Sequence, residues 1–187
     1  GTRIEDRSCP IISKKVDSCI NCKPCAIMRG FGGAGAFSDG KFNFTTQFGG
    51  WLNDYMKDSD VMELIDYVDS VNQKFGATDE VFSTTTPQAD TIRRKAISYD
   101  LHLMDARCKH LGTERNREIL LEQSNWLEKH LDLSCGTRVS EIEPLENGKY
   151  HLDTSIGAIE CKYLIAAPGR SGAEWFSKQC HKLSLPM

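Results

Sequence analysis

The sequence has no apolar run approaching the roughly 20 residues that a transmembrane helix needs, which excludes a helical membrane span. It also lacks an excess of charge of one sign. Lys and Arg number 23 against 26 Asp and Glu, a net charge of −3, and the pI is near 6.0. Such a balance gives no general attraction for nucleic acid or an anionic membrane. The first residues, Gly1-Thr-Arg-Ile-Glu-Asp-Arg7, have neither an initiator Met nor the apolar segment of a secretory signal, so a cytoplasmic location is expected. The end, His181-Lys-Leu-Ser-Leu-Pro-Met187, stops without closing an element. Both ends lead to the expectation of a segment from a larger protein. At 187 residues and 40% apolar, the chain can bury one core with a small satellite layer.

The two common phosphate-binding motifs are missing as well. Gly35 to Gly40 has the spacing of a Walker loop and Lys41 follows, but Phe42 stands where a magnesium-binding hydroxyl is required. Gly33-Ala-Gly35 begins a GxGxxG pattern but has no glycine at the third position and no strand before it.

What is present is a concentration of small residues. Gly30-Phe-Gly-Gly-Ala-Gly-Ala-Phe-Ser-Asp-Gly-Lys41 holds five glycines, two alanines and a serine around two aromatic rings. Such a run cannot build a core. It supplies a backbone that accepts positive φ and lets a phosphate or a flat ring approach main-chain N–H groups. Ser38 and Lys41 add a hydroxyl and a cation. The aromatic run Phe42–Phe48 that follows argues against a solvated linker, so a buried, ligand-facing loop is expected.

The eight cysteines fall into two sets. Cys108, Cys135, Cys161 and Cys180 lie in apolar or strand-like surroundings and read as small buried hydrophobes. Cys19, Cys22 and Cys25 stand at successive three-residue steps, with Cys9 as a fourth thiol. As thiolates they would suit a tetrahedral Zn²⁺ or a [4Fe–4S] cluster; reduced thiols or a redox-active pair are the alternatives.

Periodicity then divides the chain. Residues 1–49 are irregular and carry the cysteines and the glycine loop. Residues 50–132 read as helix-rich, with one helix carrying Val61, Leu64, Ile65, Val68, Val71 and Phe75 on one face, capped by Asp58-Ser59-Asp60 and ended by Gly76. Two more helices are expected over Gln88–Tyr99 and Glu114–His130, the latter capped by Thr113, with a strand over Leu101–Lys109 between them. Residues 133–187 alternate as strands: Leu133–Glu143, a hairpin turn at Glu146-Asn-Gly-Lys149, Tyr150–Thr154, and a long strand Ala158–Ala167 whose apolar end suits the centre of a sheet. Pro168-Gly-Arg-Ser-Gly172 then leads into a helix from near Ala173.

This order, a helical region, a β-meander and a strand ending in Ala166-Ala-Pro-Gly169, resembles the second half of the FAD-binding domain of glutathione-reductase-like flavoproteins. More specifically, Gly33–Lys41, His110-Leu-Gly-Thr113 and Gly169-Arg-Ser-Gly172 look like motifs of a family of bacterial and archaeal FAD-dependent dehydrogenases, and the likeness covers nearly the whole chain. The implied fold class is α/β, α+β within this segment: part of an FAD-binding-type domain with a helix-rich insert, lacking the strand–GxGxxG–helix unit. The implied function is the central part of an FAD-dependent oxidoreductase moving a hydride between flavin and a small-molecule substrate or electron carrier.

Carried over by position, the resemblance places Arg7 on the adenosine-phosphate side. Gly32, Gly33, Ala34, Gly35 and Ser38 would line the pyrophosphate and isoalloxazine, with Asp39 and Lys41 nearby. Val139 would meet adenine through its main chain, and Gly169, Arg170 and Ser171 would close the site. Asp39 reads equally as a turn-capping carboxylate, and Val139 as an ordinary strand residue. His110 is the candidate proton carrier. The alternative function is a non-catalytic Zn-binding or interaction module built on Cys9, Cys19, Cys22 and Cys25.

Overall fold

A computed structural model describes residues 1–185. The chain forms two units: Gly35–Trp126, and Gly1–Ala34 together with the chain from Leu127 onward. The regions expected as 1–49 and 133–187 therefore share a unit over most of their length. Helices are combined with antiparallel sheets throughout. None of the described helices is long and apolar enough to cross a membrane.

The unit Gly35–Trp126 is built on a sheet of strands β1 (Lys41–Phe44), β2 (Phe82–Ser83) and β3 (Arg107–His110), in the order β1-β3-β2. The first pair is antiparallel, with Lys41 opposite His110 and Phe44 opposite Arg107. Helix α1 (Asp58–Lys74) begins after Lys57, which makes no side-chain cap bond, so the expected cap residues lie inside its first turn, where their carboxylates complement the helix dipole. It ends at Gly76, φ 97°, with Ala77 N–H on Asn72 O and Gly76 N–H on Gln73 O, a Schellman closure. Helix α2 (Pro87–Ile97) has Thr86 as its N-cap, accepting from the Ala89 N–H, and Pro87 at its first position. Helix α3 (Thr113–His130) starts one residue earlier than expected, taking Thr113 into the helix. Of the expected strand Leu101–Lys109 only Arg107–Lys109 is in β3, which runs one residue further to His110; just before it, Ala106 is held by Thr84 through main-chain and hydroxyl bonds rather than by a longer ladder. Phe44, Val61 and Ile119 are buried, and Trp126 packs edge-on to Phe75 at 6.4 Å between ring centroids.

The other unit carries a three-stranded meander: β4 (Val139–Pro144), β5 (Tyr150–Thr154) and β6 (Gly157–Cys161). The expected turn at Glu146–Lys149 joins β4 to β5, with Gly148 at φ 76° and Leu145 N–H bonded to Lys149 O. Helix α4 (Ala173–Lys182) covers the open edge of β4: Gln179 Oε1 accepts from Ile142 N–H at 3.1 Å, and Trp175 Nε1 donates to Ser140 O at 2.7 Å. Edge groups that would otherwise invite another strand are thereby satisfied. Helix α4 finishes in a Schellman motif, with Ser184 at φ 55° and Leu185 N–H on Cys180 O.

Two expected strands are shorter than their patterns. The first begins at Val139 rather than Leu133. The long strand stops at Cys161, and Ile165 in its apolar end is 93% exposed. That run has no strand beside it among the described residues, and apolar side chains without a neighbouring strand have no ladder to hold them extended.

Candidate functional site

The glycine loop takes its shape in Gly35–Trp126 from contacts behind it. Gly33–Phe37 forms a short 3₁₀ turn, and the division between the units falls inside it. Ser38 N–H closes back on Gly35 O at 3.0 Å. Past the turn the chain runs antiparallel to the end of β3: Leu111 N–H donates to Gly40 O and Gly112 N–H to Asp39 O. The Gly33–Lys41 and His110–Thr113 motifs are thus brought together by main-chain bonds over Ser38–Lys41 and His110–Gly112. Gly40 has φ 65°, and a Cβ there would lie 3.0 Å from both Asn116 Cβ and Leu111 Cβ. Only glycine fits that position without displacing its neighbours.

The other side of the loop is open. A Cβ added at Gly35 would meet nothing within 4 Å. Gly35, Ser38, Asp39 and Lys41 are exposed and only Ala36 and Gly40 are buried, so the loop lies at the surface rather than in the interior as expected. Its rim is polar. His110 Nε2 stands 3.4 Å from Asp39 Oδ2, with both side chains more than half exposed. Lys41 faces His110 across the strand register. An imidazole beside a carboxylate can hold and pass a proton. Ser38 Oγ accepts from Gly40 N–H at 3.2 Å, an ST turn that fixes the hydroxyl at the loop's bend.

In the other unit, Arg7 is turned inward and is 2% exposed. Its guanidinium donates to Ala26 O at 2.9 Å, to Ile27 O at 2.8 Å and to Phe31 O. These bonds tie the end of the cysteine segment to the start of the glycine run. Gly30, at φ 118°, is part of the same clamp, since a Cβ there would lie 2.7 Å from Arg7 Cδ. Arg7 therefore shapes the loop from within. Gly32 and Gly33 follow at φ 76° and 56°, and the space beside Gly33 is open.

Gly169, φ 65°, likewise has open space where a side chain would stand, and Arg170 and Ser171 are exposed in the 3₁₀ turn that leads into α4. Val139 is half-buried opposite Thr154, with a bulge between it and Glu141.

The cysteine segment is a succession of turns in which Cys19 Sγ donates to Asn21 Oδ1 at 3.7 Å. All eight cysteines are free thiols. Among the described residues no group of three or more His, Cys, Asp or Glu side chains is placed to hold a metal ion. Cys9, Cys19, Cys22 and Cys25 are thus not gathered as a ligand set in this structure.

Two polar residues to which the sequence assigned no site role are central here. Asn116, 5% exposed, donates from Nδ2 to Gly35 O at 2.6 Å. Lys109, 1% exposed, bonds Asp69 Oδ2 at 2.7 Å and lies 5.8 Å from the centroid of the Phe44 ring. A buried lysine without that carboxylate would carry an uncompensated charge. Asp69 also borders an apolar groove of about 260 Å³ between α1 and β1, lined by Phe42, Phe44, Val61 and Ile65 among others. Neither residue announces itself in the sequence, since each sits in a polar stretch and is buried only by non-local pairing.

No protein-family model matches the chain, and neither a curated protein nor a solved structure matches it significantly.

Proposed function

We propose that the chain is part of an FAD-dependent oxidoreductase and that the Gly33–Lys41 loop is its flavin contact. The observation that carries this reading is the junction of two motifs far apart in sequence. Gly35–Lys41 and His110–Gly112 form one surface, bare of side chains at Gly35, fixed from behind, and rimmed by an acid–base pair. A flat ring system with phosphates needs such features: main chain within van der Waals reach, polar groups at the margin, and a scaffold that does not move on binding.

FAD, when bound, supplies the hydride acceptor and donor. The chain's residues hold and orient it. Gly35 and Ser38 would lie along the cofactor, and Lys41 would offset negative charge. His110, held by Asp39, would accept or return the substrate proton at Nε2 or at the ring nitrogen opposite. In the other unit, taken by itself, Gly32, Gly33, Ala34, Gly169, Arg170, Ser171 and the main chain of Val139 are contacts that the resemblance alone implies. Arg7 would act by holding the loop in shape.

The test is an anaerobic UV–visible spectrum of the protein expressed from its complete reading frame. Bound-flavin bands that bleach on reduction are expected. A colourless protein that stays colourless after incubation with FAD contradicts the proposal.

A further inference from the structure

We infer that Asn116 is the positioning residue of the cofactor loop, an inference that rests on the flavin reading above. The loop's shape at Gly35 depends on where the Gly35 carbonyl points. Two donors fix it: the Ser38 N–H at 3.0 Å from within the turn, and the Asn116 amide at 2.6 Å from helix α3. Of these, only Asn116 ties the turn to a regular element. Its own N–H is bonded to Gly112 O at 3.1 Å, in the first turn of the helix, so its side chain starts from a rigid base.

The same side chain sets the second fixed point. Asn116 Cβ is one of the atoms that leave no room for a Cβ at Gly40. One residue therefore grips the loop through its amide at Gly35 and through contact at Gly40. The residues between these two points include Ser38 and Asp39, which face solvent. A third contact from the same helix, the Arg117 guanidinium 5.9 Å from the centroid of the Phe37 ring, covers the aromatic residue between them. Helix α3 thus holds the back of the loop while its front stays open.

A buried amide is costly unless bonded, and a loop carbonyl that loses its donor is free to turn over. Turning that peptide would place the carbonyl oxygen on the open face, where it repels phosphate. Asn116 acts through the loop and touches no reacting atom.

The experiment compares wild type with Asn116→Ala, with Asn116→Asp at neutral pH, which keeps the shape but loses the donor, and with Ile119→Val, which trims the buried face of the same helix about one turn further on. Amide exchange at Ser38 and Leu111 is read in flavin-free protein, and FAD affinity and the visible circular dichroism of the bound flavin in the holoprotein. Both Asn116 variants are expected to exchange about tenfold faster at these amides and to bind FAD about tenfold more weakly, the scale of one lost hydrogen bond, with an altered dichroism band. Ile119→Val is expected to leave all three readings as in wild type. Unchanged exchange, or faster exchange with unchanged FAD affinity, overturns the positioning role while leaving the flavin reading intact. A wild type that binds no FAD overturns the flavin reading, and the role falls with it.

Discussion

The two three-stranded sheets are built in opposite ways. The meander β4-β5-β6 is made of consecutive strands of five or six residues joined by tight turns, so every pairing is local. The sheet β1-β3-β2 joins strands of four, four and two residues drawn from distant parts of the chain. Short strands gain little from their own ladder, and bringing distant segments together costs loop-closure entropy. That sheet therefore depends on side chains that reach across it, above all Lys109 to Asp69 on α1. It is also the sheet that gathers the candidate site, since β1 continues from the glycine loop and β3 ends at His110. The local sheet provides stability that can be read from pattern, while the non-local sheet provides juxtaposition.

The largest expected effect breaks the non-local sheet. Lys109→Ala leaves Asp69 beside an apolar groove without its cation and should cost about 3–5 kcal/mol in denaturant unfolding. The paired replacement Lys109→Met with Asp69→Leu should recover most of that loss, because it removes both charges together. If the single change were harmless, the sheet would not rest on this pair.

A smaller effect is expected in the meander. Gln179→Leu removes the acceptor of the Ile142 N–H, a buried group with no other route to water, and should cost about 1–3 kcal/mol. Chemical-denaturation midpoints would show it, with the β4–β5 turn still formed. The smallest effect is electrostatic. Its hydrogen bond to Lys182 lowers the Glu141 pKa below its ordinary 4.5, and hydrogen bonds to Glu141 and Glu143 raise that of Lys182 above 10.5. The carboxylate's contribution is present above 4.5 and disappears as pH falls through the lowered value; the ammonium's is present below 10.5 and disappears as pH rises through the raised one. The gap in Tm between wild type and Lys182→Met should therefore be small at neutral pH and close toward both extremes. These side chains are about half exposed to solvent, and salt should shrink the gap.

The same contrast explains what the sequence made legible. Asn147-Gly148 marked its hairpin because a primed turn needs positive φ, and Gly76 marked the end of α1 for the same reason. Asp100 and Ser184 end α2 and α4 at φ 56° and 55°, but they are not glycines, so nothing in their type announced a stop. The apolar pattern through Ile165 read as a strand, yet a strand exists only where another pairs with it. The glycine loop stood out as a candidate site because its composition has little other use, while its adjacency to His110 comes from non-local strand pairing that leaves no trace in the sequence. Asn116 and Lys109 were invisible: a polar residue becomes a buried anchor through long-range packing, which leaves no periodic trace. The cysteine spacing suggested convergence, but spacing sets only what a loop can reach, and here the turns do not gather the thiols.

The most direct measurement is FAD binding and thermal unfolding of Gly35→Val beside wild type. A Cβ at Gly35 would meet nothing within 4 Å, and the φ of Gly35 lies outside the left-handed region. If the open face of the loop is a flavin contact, Gly35→Val keeps a Tm close to wild type and loses the cofactor, because the added methyls occupy the space the ring needs. Flavin retained at wild-type affinity by a stably folded Gly35→Val protein would contradict the account.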